Sequence, residues 1–188
     1  MAYHIFLAKE SRAGEQRVAL IPSDVARLID KGHDFFVEHH AGLAAGFDDT
    51  AYQAVGATIV HLSASELNSY VETFQHIDVI VRAKRPDRAR EQLEAQAFRP
   101  GMIMIGALDP FESESHHIAE YHQANIHAYS IDQANLAATD PMNVLAAMSR
   151  LSGKLALQDA LSTSASRCNR MCFGHRAPLA PVTGRDQL

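Results

Sequence analysis

The chain has 188 residues, of which 47% are hydrophobic and 21% charged, and its formal net charge is −5. That balance fits a globular protein with a sizeable core and argues against nucleic acid as the partner, because phosphate binding needs a clustered basic surface. No apolar run approaches the roughly 20 residues that span a bilayer, so direct membrane insertion is not expected.

Taken in order, the pattern alternates strands and helices. Tyr3 to Ala8 is a short apolar run and predicts a first buried strand. A polar loop follows from Lys9 to Pro22, with Arg17 towards its far end. Ser23 or Asp24 then caps a helix running to Lys31, with Val25, Leu28 and Ile29 at helical spacing and Gly32 as its stop. Phe35 to Val37 predicts a second strand, and the small residues from Gly42 to Gly46 a loop. Asp48 or Asp49 caps a short helix through Val55, and Ala57 to Val60 is a third strand.

Ser63 or Ser65 begins another short helix. Ile77 to Val81 has the β-branched character of a central parallel strand, with Lys84, Arg85 and Pro86 at its carboxyl end. Asp87 to Phe98 reads as a charged amphipathic helix, Met102 to Ile105 as a strand, and Ser113 or Ser115 as the start of a helix through Ala124. Ile126 to Tyr129 is the last strand. Asp140-Pro141 opens the longest helix, about Met142 to Leu161, with the proline suited to a first helical position. Ser162 to Leu188 holds Cys168, Cys172 and two helix-breaking prolines, shows no apolar period, and reads as a poorly structured tail.

The alternation predicts an α/β fold in three layers, α/β/α, with a mainly parallel, Rossmann-like or flavodoxin-like sheet and a long C-terminal helix. The domain runs over 1–161 and the tail over 162–188. Met1-Ala-Tyr-His-Ile-Phe has neither the basic end nor the cleavage pattern of a signal peptide, and two late cysteines make no disulfide framework. A cytoplasmic location is expected.

Ligands of open α/β sheets bind beyond the carboxyl ends of the strands. Arg17 and Lys84 both fall there. A guanidinium suits a carboxylate through paired hydrogen bonds, and a lysine ammonium polarises a carbonyl. Two other groupings look like metal ligands without amounting to a site. His116, His117, Glu120 and His122 crowd one helix, but a metal needs more than an i, i+4 pair. Cys168, Cys172 and His175 have loose ligand spacing with no evident fourth ligand. No metal is expected.

The order of the motifs adds a resemblance. Glu15-Gln-Arg-Val-Ala-Leu-Ile-Pro22 leads to Gly32-His-Asp-Phe-Phe-Val-Glu38, then to Ala41-Gly-Leu-Ala-Ala-Gly-Phe-Asp-Asp49 and Tyr52-Gln-Ala-Val-Gly-Ala-Thr-Ile-Val60. This series resembles the N-terminal domain of the alanine dehydrogenase and pyridine nucleotide transhydrogenase family, and most closely a transhydrogenase alpha subunit. The likeness is looser from Val79 to Pro110 and returns over Met142 to Leu161. Saccharopine dehydrogenase, a related oxidoreductase, fits Ala41 to Asp49 less well.

The resemblance implies an oxidoreductase that moves a hydride between NAD(H) and NADP(H), or from an amino acid, with Arg17 and Lys84 holding the substrate. It also implies a catalytic histidine between Met102 and Pro110 in the alanine dehydrogenase branch, where this sequence has none. Laid against the transhydrogenase nucleotide loop, Asn135, Ala138, Asp140 and Asn143 stand where arginine, arginine, glutamine and aspartate belong. Ser149 matches a nucleotide-contacting serine of the alanine dehydrogenase branch. Candidate cofactor contacts are therefore Asn135, Asn143 and Ser149.

The ten glycines include no Gly-x-Gly-x-x-Gly turn to seat a pyrophosphate. The Rossmann cofactor domain of full-length relatives is expected to be absent, and the chain alone to bind nucleotide weakly and to be inactive. A truncated gene product, a separate subunit and a remnant all fit. A non-catalytic binding or assembly module that keeps the fold is the rival reading. The apolar face of the long helix, with Met148, Leu151 and Leu155, suggests a homodimer or a partner subunit carrying the nucleotide-binding domain.

Overall fold

The computed structural model describes residues 2–111, 116–133, 137, 139, 140, 143, 146 and 148–158. By its internal contacts the chain divides into two compact units, Met1–Asn143 and Val144–Leu188. Among the described residues, the first holds six strands: β1 His4–Leu7, β2 Asp34–Glu38, β3 Thr58–Val60, β4 Val79–Lys84, β5 Ile103–Ala107 and β6 His127–Ser130. Its helices are α1 Pro22–Ile29, α2 Asp49–Gln53, α3 Leu67–Phe74, α4 Arg88–Ala97 and α5 His116–Gln123. In the second unit the described stretch 148–158 is helical.

The strands form one sheet in the order β3-β2-β1-β4-β5-β6, and every adjacent pair is parallel. The chain winds outwards from β1 to β3, then crosses back to β4 on the other side of β1. The switch point lies between β1 and β4, and the crevice at their carboxyl ends is where such sheets bind ligands.

Strand alternation divides the core. Ile5 and Leu7 face one way, joining Val25, Phe35, Val37 and Tyr52 under α1 and α2. Phe6 and Ala8 face the other, joining Tyr70, Phe74, Ile80, Met104 and Tyr121 under α3, α4 and α5. A sheet covered on both faces explains why β1 from Ile5 to Leu7 and β4 from Val79 to Val81 are continuously apolar. The three-layer architecture expected from the sequence is the one observed.

Helix starts were legible where an aspartate does the capping. The Asp48 side chain accepts from the backbone N–H of Ala51, and that of Asp87 from Arg90. Two other starts differ from expectation. α1 begins at Pro22 with Ile21 as its N-cap and no side-chain cap, so neither Ser23 nor Asp24 caps it. The fixed φ of proline starts the helix instead. α3 begins at Leu67 after Glu66, also without a side-chain cap, rather than at Ser63 or Ser65.

The charged amphipathic helix expected from Asp87 to Phe98 is α4, and its buried face carries charge, since Arg90, Glu91 and Glu94 are buried. Arg82 of β4 donates from Nη2 to both Glu94 oxygens, at 2.8 and 2.7 Å. Arg90 donates from Nε to Glu94 at 2.6 Å, and from Nη1 and Nη2 to the two Glu38 oxygens at 3.0 and 2.7 Å. Glu38 closes the chain by accepting from the backbone N–H of Lys9. Burial opposes ionisation of Glu94, but the Arg82 and Arg90 charges outweigh it and hold its carboxyl below the ordinary range.

Candidate functional site

The site is built at the carboxyl edge around the switch point. The loop after β1 turns inwards at Glu10, whose carboxylate accepts the backbone N–H groups of Ala83 at 2.7 Å and Lys84 at 3.1 Å. A side chain of the protein thus lies where this type of sheet receives an anion. Burial pushes the Glu10 carboxyl up, against the lowering effect of those two N–H groups and the Arg82 charge.

Lys84 is the last residue of β4 rather than just beyond it, because the β4–β5 register shifts between Val81 and Lys84 and places Lys84 opposite Ala107. Its Nζ lies 2.5 Å from Asp109 Oδ1. Asp109 follows β5 with a left-handed φ of 47°, a conformation aspartate tolerates better than most residues. Arg12 Nη1 approaches the same carboxylate at 3.9 Å.

Arg17 is paired with Glu15. Nε donates to Oε1 at 2.8 Å and Nη2 to Oε2 at 2.5 Å, a bidentate grip. The Arg17 hydrogen bonds hold the Glu15 carboxyl down at about 2. The two cations predicted to share a site do share an edge: Arg17 is electrostatically coupled to Glu10, and the Lys84 backbone is bonded to it. Each also carries a carboxylate of its own.

Of the candidate cofactor contacts, Asn135 lies outside the described residues. Asn143 Nδ2 donates to the carbonyl of Ala137 at 3.2 Å. Ser149 is exposed on the helix of the second unit. Sequence reasoning missed Glu10 and Asp109. The signal for Asp109 was available, since an acid two residues past a strand end stands within the segment where the resemblance calls for a histidine.

The histidine-rich helix resolves into structural roles. His117 is fully buried and its Nδ1 accepts from Arg85 Nη1 at 3.0 Å, while Glu120 holds Arg88 through two bonds of 2.5 and 2.9 Å. Burial lowers the His117 pKa, which suits a neutral ring beside a guanidinium. Beside the edge cluster, Lys9, Glu10, Ser11, His39, His61 and Arg90 line a cleft of about 440 Å³.

Residues 6–152 match the family model described as alanine dehydrogenase/PNT, N-terminal domain. The chain belongs to this family. Members of the alanine dehydrogenase/PNT family are NAD(P)-dependent oxidoreductases. One relative is an NAD(P) transhydrogenase subunit alpha protein of Rhodospirillum rubrum, 29% identical over 157 residues, which cover 82% of this chain and 39% of that one. Another is alanine dehydrogenase 1 of Staphylococcus aureus, 30% identical over 151 residues, or 80% of this chain and 36% of that one. Among solved structures, the transhydrogenase from Sinorhizobium meliloti aligns with a TM-score of 0.69 at 28% identity, over 84% of this chain and 43% of that one. An L-alanine dehydrogenase shares the fold with a TM-score of 0.58. The chain spans about two fifths of the length of these relatives. Among the described residues, no helix is long and apolar enough to cross a membrane.

Proposed function

We propose that the chain serves as the N-terminal domain of a transhydrogenase alpha-subunit-like oxidoreductase, working in the cytoplasm with a nucleotide-binding domain that these 188 residues do not supply. Hydride transfer between NAD(H) and NADP(H) then requires that second domain. The chain by itself binds nucleotide weakly and has no measurable activity, since no Gly-x-Gly-x-x-Gly turn is present to position the cofactor.

The observation that carries the choice of branch is the internal pairing of both edge cations, Lys84 with Asp109 and Arg17 with Glu15. A carboxylate substrate, as an alanine dehydrogenase requires, would have to displace two carboxylates already in place. Transfer between two nucleotides needs no such anion. The missing histidine between Met102 and Pro110 supports the same reading, because amine oxidation needs a positioned acid or base.

Assembly goes with this proposal. Met148, Leu151 and Leu155 are exposed at three- and four-residue steps on the helix of the second unit, the spacing of a helical seam. They fit a homodimer or a partner subunit. Light scattering of the purified chain separates a dimer from a monomer.

The test of function is titration calorimetry of the chain with NAD(H), NADP(H), pyruvate and alanine in turn. Weak or absent heats for all four are expected. Pyruvate binding at micromolar concentration that disappears in Arg17→Ala and Lys84→Ala variants would instead make this an alanine-dehydrogenase-like domain. Alanine oxidation by the chain alone would overturn the proposal altogether.

A further inference from the structure

A second cluster, away from Arg17 and Lys84, gathers at the ends of β2 and β3. His39 and His40 directly follow β2, and His61 directly follows β3. The backbone N–H of His39 donates to the carbonyl of Val60, which sets the two strand ends side by side. Consecutive residues of a strand point to opposite faces, so a His-His pair does not ordinarily converge. Here it does, because His40 adopts a left-handed φ of 63° and the turn folds its ring back onto His39. The ring centroids are 3.5 Å apart, and the His61 ring lies beside that of His39 at 4.2 Å, tilted by 35°.

Asp49, at the start of α2, faces the same group. One carboxylate oxygen accepts the backbone N–H of His40 at 2.9 Å, and the other lies 2.5 Å from Nδ1 of His39. One ligand atom each from His39, His40 and Asp49 falls within 4.8 Å of the others. The Asp49 side chain is largely buried and that of His39 about 39% exposed, so the donor atoms are seated but reachable.

We infer that His39, His40 and Asp49 form a binding site for a divalent transition-metal cation of the zinc class. Two imidazoles and one carboxylate are the donor set that such ions select, whereas magnesium prefers oxygen ligands and retained waters. Bonds of about 2.0–2.2 Å in a tetrahedral arrangement place ligand atoms about 3.5 Å from one another. A small side-chain rotation takes the observed cluster to that spacing. The cluster also explains why a histidine occupies a left-handed position that glycine would take at less cost, since strain of this kind marks functional turns.

The experiment uses the full chain carrying Cys168→Ser and Cys172→Ser, which removes the thiol ligands of the tail. Zinc and magnesium are titrated separately, with competition against a chromophoric chelator for affinity and thermal melting for stability. One equivalent of zinc should bind and raise the melting temperature, and magnesium should do neither. His39→Ala and His40→Gly should each weaken zinc by roughly tenfold or more, taking the range known for groups that support metal ligands as a floor. His40→Gly carries its own control for folding. Glycine adopts the left-handed turn without strain, so the metal-free variant should melt no lower than the parent while losing the zinc response. No zinc binding up to about 100 µM, a concentration matching a weak binding energy of several kcal/mol, overturns the inference. So does undiminished zinc binding by the His39→Ala, His40→Gly double variant, or magnesium binding as tight as zinc.

Discussion

Two charge clusters in this molecule use the same residue types and behave differently. The inner one, Arg82, Glu94, Arg90 and Glu38, has side chains no more than 8% exposed and ties α4 to the ends of β2 and β4. The outer one, Lys84 with Asp109 and Arg17 with Glu15, sits at the carboxyl edge with the cations partly in water. Burial makes the difference. In the interior each charge depends wholly on its partners, and removing one leaves an uncompensated ion. At the edge water replaces a lost partner at small cost, so the same pairing is exchangeable.

Breaking the inner cluster should give the largest effect. Glu94→Gln removes the anion shared by Arg82 and Arg90, and the expected loss is about 3–5 kcal/mol. The midpoint of urea unfolding measures it. A loss below about 1 kcal/mol, typical of surface pairs, would show that the two clusters are energetically alike.

Next comes Gly106 of β5, which lies against the inner cluster. A Cβ there would sit 2.7 Å from the Arg82 carbonyl oxygen and 2.8 Å from Arg82 Cγ. The first contact is with backbone, which cannot swing away. Gly106→Ala should cost about 1–3 kcal/mol, the range for forcing extra volume into packed structure. Thermal melting of the variant tests this, and an unchanged midpoint would mean that the β4–β5 bulge absorbs the methyl.

The edge carboxylates sharpen the comparison through pH. Glu15 titrates at about 2 in the folded chain against an ordinary value of 4.5. Its contribution is therefore complete above about pH 4.5 and is lost as pH falls towards 2. Glu10 moves in the opposite direction, its pKa raised by burial, so its contribution is greatest below pH 4.5 and fades as pH rises through its folded value. Carbon-detected NMR titration of the two carboxyl groups should show midpoints on opposite sides of 4.5. In stability the Glu15 pair is worth about 0.2–1 kcal/mol at most, since Arg17 is exposed and the two residues are neighbours even in the unfolded chain.

The smallest stability effect is expected at Asp109. Asp109→Asn keeps a side chain that tolerates the left-handed turn, removes the charge paired with Lys84, and should change stability by no more than about 0.5 kcal/mol. Its effect belongs instead to binding. Freed of its own carboxylate, Lys84 should gain affinity for pyruvate measured by calorimetry. No gain would mean that Lys84 is not poised for an anion at all.

The sequence determined the sheet by itself. Short β-branched and aromatic runs alternating with helical spacing define βαβ units, and their near-continuous hydrophobicity marks strands covered on both faces. It also marked the edge, because Arg17 and Lys84 follow such runs and strand ends must lie there. Periodicity is local, and these features are local. Only the tertiary structure decided which charges meet. Nothing in Arg88 to Ala97 distinguishes Glu94, which is buried between two arginines, from an acid on a solvated face, since its partners lie 12 residues away on β4 and 4 away on its own helix. Glu10 and Ala83 are 73 residues apart, and His39 and Asp49 are 10 apart across a turn whose left-handed φ falls on a histidine. Pairings of this kind depend on strand order and on the backbone angle of single residues. Hydrophobic patterning specifies neither, so the edge was readable in advance and the occupants of its charges were not.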